Sequence, residues 1–194
     1  MNWPVRVQLA DGSVALLRPM RRRDVWRAAA TLARLAREDV HVGVEHVNIG
    51  RVADRYLLTL NRDGYLYLVA EVESHFAGLA SACPGRFGRK DRHVASLSLW
   101  ISSWAQGRRL GYWMMTTLLA WCREAGYEKA ELEVFASNTR ARHLYEHLGF
   151  AVEVRQRRAI KLPDGRYTDA LIMGRLLGGE GGEQTLERSR SQTR

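Results

Sequence analysis

An α/β (α+β) fold, with a mixed, mostly antiparallel central sheet and helices on both faces, is predicted by three observations. Eight β-rich runs are punctuated by turn residues such as Asp11-Gly12 and Pro163-Asp164-Gly165. Four further segments place apolar residues at helical spacing. The order of the two kinds is ββααβββαβαββ, with too few alternating βα units for a purely parallel sheet.

The elements follow in turn. "VRVQLADGSVALLRPM" is two short alternating runs around Asp11-Gly12, the signal for a tight hairpin, and Pro19 ends the second. Asp24 suits the N-cap of "VWRAAATLARLARE", where Val25, Ala28, Ala29, Leu32 and Leu35 share a face. "EHVNIGRVADRYLLTL" is a weaker helix, because Gly50 interrupts it. "YLYLVAEVE" and "FAGLASACP" are antiparallel neighbours joined through Ser74-His75. "RFGRKD" is a basic turn, and "HVASLSLWIS" alternates Val94, Leu97, Leu99 and Ile101 with small polar residues.

A helix then runs from about Arg109 to Glu124, with Leu110, Met114, Leu118, Trp121 and Ala125 as its stripe and Gly126 as its stop. "KAELEVFA" is a strand. Asn138 caps "TRARHLYEHL", where Ala141, Leu144, Tyr145 and Leu148 repeat at i, i+3, i+4, i+7, and Gly149 ends it. "FAVEVRQRRAIKL" and "RYTDALIMGRLL" close the sheet around a "PDG" turn. Residues 1–177 form one domain, and 178–194 are glycine-rich and polar without a core pattern, which predicts a disordered tail.

Composition bounds the function. A chain of 194 residues buries a core without staples. No apolar run approaches the roughly 20 residues that cross a bilayer, and "MNWPVRVQLADG" lacks a signal-peptide core, so no membrane is expected and the cytoplasm is the expected compartment. Cys83 and Cys122 lie far apart in apolar segments, which favours buried thiols and excludes metal spacing. The net charge of +9 comes from 27 Arg against 3 Lys. The arginines are dispersed, and neither Arg21-Arg22-Arg23 nor Arg155 to Arg158 is interleaved with aromatics, so nucleic acid is not the expected partner.

Chemistry concentrates in two places. Gln106-Gly107-Arg108-Arg109-Leu110-Gly111 lies between a strand and a helix start. Helix N-termini expose unpaired N–H groups, glycines let a backbone approach a phosphate, and two arginines add charge-assisted bonds. It is neither a Walker loop nor G-x-G-x-x-G. Alone, it serves equally as an ordinary strand-to-helix turn. The second place is "LEVFASNTRARHLYEHLGF", Leu132 to Phe150. Asn138 and Tyr145 are two turns apart and share a helix face, although capping explains Asn138 and core packing explains Tyr145 without a ligand.

Taken together, "SLSLWI", "QGRRLG", "LEVFASN" and "NTRARHLYEHLGF" resemble, in order and spacing, the GCN5-related N-acetyltransferase (GNAT) superfamily. The resemblance covers about residues 5 to 177 and implies acetyl transfer from acetyl-CoA to an amine. It implies that Gln106, Gly107, Arg108, Arg109, Leu110, Gly111 and Tyr112 cradle the CoA diphosphate. Leu99, Trp100 and Ile101 would lie on a strand that splays from the next and pairs with the pantetheine amides. An N–H near Ile101 would polarise the thioester, Asn138 would contact the cofactor arm, and Arg142 would approach the adenosine phosphates. Tyr145 would protonate the departing thiolate. Arg109 stands where the family pattern has a glycine. With helical dihedrals its amide still points at a phosphate, and its side chain is expected to bind one.

The resemblance leaves a general base to be found. Many members carry an acidic residue on the strand before the loop, but here that strand has Ser96 and Ser98. Glu133, acting through waters, is the first candidate, followed by Glu131 and His93. No cysteine is placed for an acyl-enzyme route, so direct attack in a ternary complex is expected. Acceptor pockets of the family are built by the first two helices and the last hairpin, which here hold Asp24, Glu45, His46, Tyr56, Tyr167 and Asp169. Trp104 is the expected pocket wall. The expected acceptor is a small-molecule amine or amino acid, with no metal and a possible homodimer. The alternatives are a non-catalytic acyl-CoA-binding module or a protein acetyltransferase.

Overall fold

The computed structural model describes residues 1–38, 47–85 and 90–178. The order ββααβββαβαββ holds. The strands are β1 Val5–Gln8, β2 Val14–Pro19, β3 Leu66–Val72, β4 His75–Pro84, β5 Val94–Ile101, β6 Lys129–Phe135, β7 Ala151–Lys161 and β8 Tyr167–Leu176. The helices are α1 Val25–Glu38, α2 Ile49–Thr59, α3 Leu110–Glu124 and α4 Thr139–His147. One sheet runs β1-β2-β3-β4-β5-β6-β8-β7. Every pairing in it is antiparallel except β5 with β6, where a helical crossover returns the chain in the same direction.

Strand period sorts the core into two layers. Leu66, Leu68 and Ala70 of β3 point toward α3, where Leu110, Met114 and Leu118 are buried against them. Tyr67 and Val69 point the opposite way, onto Val25, Ala28 and Ala29 of α1 and Ala53 and Tyr56 of α2. Tyr145 and Leu148 of α4 join the α3 layer. On α3 the buried stripe is wider than expected: Met115, Leu119 and Cys122 are also buried, while Ala125 is exposed. Neither cysteine forms a disulfide, and Cys83 is half-buried.

Three expectations change. Asp24 does not cap α1 at its start. It ends a 3₁₀ turn, Arg22–Asp24, and its carboxylate accepts from the Arg21 N–H at 2.8 Å and from Arg18 Nη1 at 2.7 Å. A buried arginine competes for the carboxylate more strongly than a helix end does. The second helix begins at Ile49, capped by Asn48, whose side chain accepts from Arg51 N at 3.0 Å. The β3–β4 connection is Glu73-Ser74 rather than Ser74-His75, with φ of 50° and 65°, the left-handed pair that a two-residue hairpin requires. The basic turn expected at 86–91 and the tail expected at 178–194 lie mostly outside the described residues, as do Glu45 and His46.

Candidate active site

The site starts with a fork in the sheet. β5 stays paired with β4 up to Gly78↔Ile101. Its pairing with β6 stops at Leu97↔Leu132, while β6 continues beside β8 to Phe135↔Ala170. Ser98 to Ile101 therefore have no β6 partner, and their open edge offers backbone donors and acceptors to an extended ligand. Side chains alternate around this opening. Leu99 and Ile101 pack on the α3 layer, and Trp100 packs on the α1–α2 layer against Phe76 at 5.7 Å between ring centroids.

At the end of β5 the chain turns through a short 3₁₀ segment, Ser103–Ala105, into the loop before α3. Gln106 Nε2 donates to the Ile101 carbonyl at 3.1 Å, and Gln106 Oε1 accepts from Arg140 Nη1 at 3.3 Å. Gly107 has φ of 85°, and Arg109 has φ 64° and ψ 11°. Arg109 is thus in the left-handed region, where glycine is favoured, and not in the helical conformation expected for it. It is the N-cap residue of α3. Helix geometry then leaves the N–H groups of Leu110, Gly111 and Tyr112 without partners one turn back. Leu110 contributes through its backbone alone, since its side chain is buried. Gly111 is tight: a Cβ there would lie 3.2 Å from Leu144 Cδ2 and 3.3 Å from Ile101 Cδ1.

The loop is braced from a direction the sequence does not reveal. Ala10 N donates to the Arg108 carbonyl at 3.1 Å, and Trp113 Nε1 donates to the Gln8 carbonyl at 3.0 Å, so the β1–β2 hairpin holds the turn. Arg108 itself is drawn outward, its Nε 3.1 Å from Asp11 Oδ2 and its guanidinium 5.8 Å from the Trp104 ring centroid. Its side chain does not line the cleft.

A cleft of about 1330 Å³ runs from Gln106, Gly107 and Arg109 through the fork to the α1–α2 side of the sheet. Leu99, Trp100, Ile101 and Tyr112 border it, as do Asn138, Tyr145 and Glu133. Asn138 caps α4, accepting from Ala141 N at 3.1 Å. Tyr145 is 7 % exposed, and burial pushes its phenol up to about 12. Burial does the same for Tyr56, up to about 12. Both phenols hold their protons at neutral pH. Ser81 and Ser98 share a hydroxyl–hydroxyl bond of 2.7 Å on the floor.

Several expected residues stand elsewhere. Arg142 donates to the Ala136 carbonyl at 3.3 Å and lies 3.5 Å from Glu146, on the side of α4 turned from the cleft. Arg140, two positions earlier, is the α4 arginine at the loop. Its signal in the sequence is its place in the first turn of a helix capped by Asn138. Trp104 is 42 % exposed and outside the cleft, so Trp100 forms the aromatic wall. Asp24 is held by Arg18, and Asp169 is held by Arg155 at 2.6 Å and by Arg158 N at 2.7 Å. Tyr167 stacks under Arg158 at 4.4 Å. None of these three borders the cleft. His93 does not border it either; its carbonyl accepts from Glu128 N and Lys129 N. Glu131 does border it, 3.7 Å from Lys129 Nζ. Arg51 and Arg55 of α2 also border it and were not anticipated.

The donor set fits acetyl-CoA. The unpaired edge of β5 suits an extended chain with amides, and the α3 N-terminus with Arg109 and Arg140 suits a diphosphate. The family model of the GNAT acetyltransferases matches residues 28–150, and the chain belongs to that family. Its cofactor is acetyl-CoA. Among similar solved structures is a phosphinothricin acetyltransferase from Sinorhizobium meliloti in complex with acetyl-CoA. That protein is 23 % identical, with 86 % of this chain and 91 % of that one covered and a TM-score of 0.78. A ribosomal-protein-alanine N-acetyltransferase from Brucella melitensis is 25 % identical, covering 83 % and 99 %, with a TM-score of 0.75. A spermidine N-acetyltransferase from Vibrio cholerae, solved with CoA and spermine, is 20 % identical, covering 84 % and 95 %, with a TM-score of 0.70. No helix among the described residues is long and apolar enough to cross a membrane.

Proposed function

We propose that this acetyltransferase acts on the amino group of a small molecule, an amine or an amino acid, by direct attack in a ternary complex. The observation that carries this reading is the passage through the fork. One cleft joins the loop end, where Arg109 and Arg140 stand, to a polar face under α2, with Tyr145 beside the route. An acceptor entering from the α2 side therefore meets the cofactor end-on. The three solved relatives act on different acceptors, so the fold alone does not choose among them.

Acetyl-CoA supplies an acyl group activated as a thioester. The chain's residues do the rest. Backbone N–H groups along Ser98 to Ile101 orient the bound chain and stabilise negative charge on a carbonyl oxygen. Leu110, Gly111 and Tyr112 offer amides to the diphosphate, with Arg109 and Arg140 adding charge. Tyr145 holds a proton on its Oη and gives it to the departing sulfur. An alkylammonium has a pKa of about 10 and must lose a proton before it attacks. Glu133, just past the fork on the α2 side, receives that proton through water.

A thiol-release assay with a panel of amines tests the reading, together with mass detection of the acetylated product. Release that depends on an amine supports it. Acetyl-CoA raising Tm without any amine-dependent release points to a binding module instead, the outcome that Ser96 and Ser98 in place of a carboxylate would favour.

A further inference from the structure

We infer that the acceptor carries a carboxylate beside its amino group, held by Arg51 and Arg55 of α2, so that the site takes amino acids rather than polyamines or simple amines. The inference rests on the acetyltransferase reading above and deepens it.

Arg51 and Arg55 are one turn apart on α2, and both border the cleft. Two cations at i, i+4 repel each other and weaken the helix slightly. No carboxylate among the described residues offsets this: neither arginine is in an ion pair there, whereas Arg108, Arg155 and Arg166 each hold an aspartate. Among the described residues, the cleft arginines without an ion pair thus form two groups. Arg109 and Arg140 sit at the loop end, where the diphosphate binds. Arg51 and Arg55 sit at the opposite end, on the α2 side of the sheet.

Between the two groups the wall changes sign. The last paired residues of the fork are Leu97 and Leu132, and the next on each strand are Ser98 and Glu133. Both border the cleft, and so do Ser96 and Tyr56. An acceptor therefore meets a carboxylate near the acyl group and two guanidinium groups farther out. That order matches an amino acid, with its ammonium toward Glu133 and its carboxylate on the arginines, which can engage it bidentately. A polyamine would present a second cation to Arg51 and Arg55 and be repelled.

The test measures turnover and binding separately. kcat/KM is compared for amino acids and for the amines lacking their carboxylate, such as phenylalanine against phenethylamine and leucine against isoamylamine. Spermidine and a short peptide are included. Calorimetry on the CoA-saturated protein reports binding of the same set. We expect the amino acids to lead their amines by about tenfold or more, as a charge-assisted bond implies. The double variant Arg51→Ala/Arg55→Ala should erase that lead through KM while leaving acetyl-CoA affinity within about twofold, and the double lysine variant should restore part of it. Carboxylate-selective binding without turnover of any amine would uphold the inference and sink the transferase reading. Turnover without carboxylate preference would do the reverse. Preference for spermidine or the peptide, or a fall in acetyl-CoA affinity in the double alanine variant, would overturn the inference.

Discussion

Gln106 Nε2 donates to the Ile101 carbonyl oxygen at 3.1 Å, tying the first residue of the loop before α3 to the last residue of β5. The same side chain accepts from Arg140 on α4. One amide therefore links β5, the loop and α4, the three pieces around the proposed cofactor site. Replacing Gln106 with Ala removes both hydrogen bonds, each worth about 0.5–1.5 kcal/mol. We expect acetyl-CoA affinity to fall by about two- to tenfold in calorimetry, with Tm little changed.

Arg109 occupies a left-handed N-cap position at φ 64°. An L-residue there carries a cost of about 1 kcal/mol that glycine avoids. Arg109→Gly should therefore hold or raise Tm while keeping acetyl-CoA affinity within about tenfold, the loss being one charge-assisted contact. Arg109→Glu keeps the strain and places a negative charge at the proposed diphosphate site, so affinity should fall much further. Equal affinities in the two variants, measured by calorimetry, would mean that the side chain faces away from the phosphates.

Arg18 and Asp24 form a buried pair at 2.7 Å, with Glu71 2.6 Å from the same guanidinium. Burial pushes the Asp24 carboxyl up, but the Arg18 and Arg21 N–H bonds outweigh it and hold it below its ordinary 3.8. Its contribution is therefore present above pH 3.8 and lost as pH falls through the lowered value. Asp24→Asn leaves half of a buried ion pair, a change that costs about 3–5 kcal/mol, and Glu71 keeps it near the low end. Tm should fall by about 6–12 °C. Acetyl-CoA affinity, measured in parallel below the melting range, should stay within about twofold, because Asp24 does not border the cleft.

At high pH the phenols decide. Tyr145 and Tyr56 are pushed by burial from 10.0 up to about 12, and Cys122 from 9.0 up to about 12. A raised value means that the folded state keeps protons the unfolded chain has released. The stability from these groups is complete below their ordinary values and declines as pH rises toward 12. Tm should drop progressively above pH 9, and Tyr145→Phe should make the drop between pH 10 and 12 shallower. An unchanged slope in a thermal scan would place Tyr145 in contact with water.

Much of this was legible in the chain. Turn residues such as Gly12 and Gly126 mark element ends by local backbone needs, so the order of strands and helices follows from them. The loop and the Asn138–Tyr145 face were legible as spacing. What was not legible depends on pairing at a distance. The fork exists because β6 follows β8 while β5 follows β4, and neither strand's own pattern says where the two part. Arg108 read as equal to Arg109 in sequence, and Arg142 read as the phosphate arginine of α4 where Arg140 stands. Asp11 and Glu146 draw Arg108 and Arg142 aside, and only the folded arrangement reveals this. Asp24 read as a cap because its competitor, Arg18, lies on β2, before the turn that brings the two side chains together.

In the mechanism we propose, Tyr145, at the side of the fork, delivers the proton that lets the sulfur leave. The most direct measurement is kcat for thiol release by Tyr145→Phe at saturating acetyl-CoA, with acetyl-CoA affinity measured alongside. Loss of a general acid predicts a fall in kcat of about 10²-fold or more, with affinity within about threefold of the parent. An unchanged kcat would contradict the claim and leave Tyr145 as a core residue of α4.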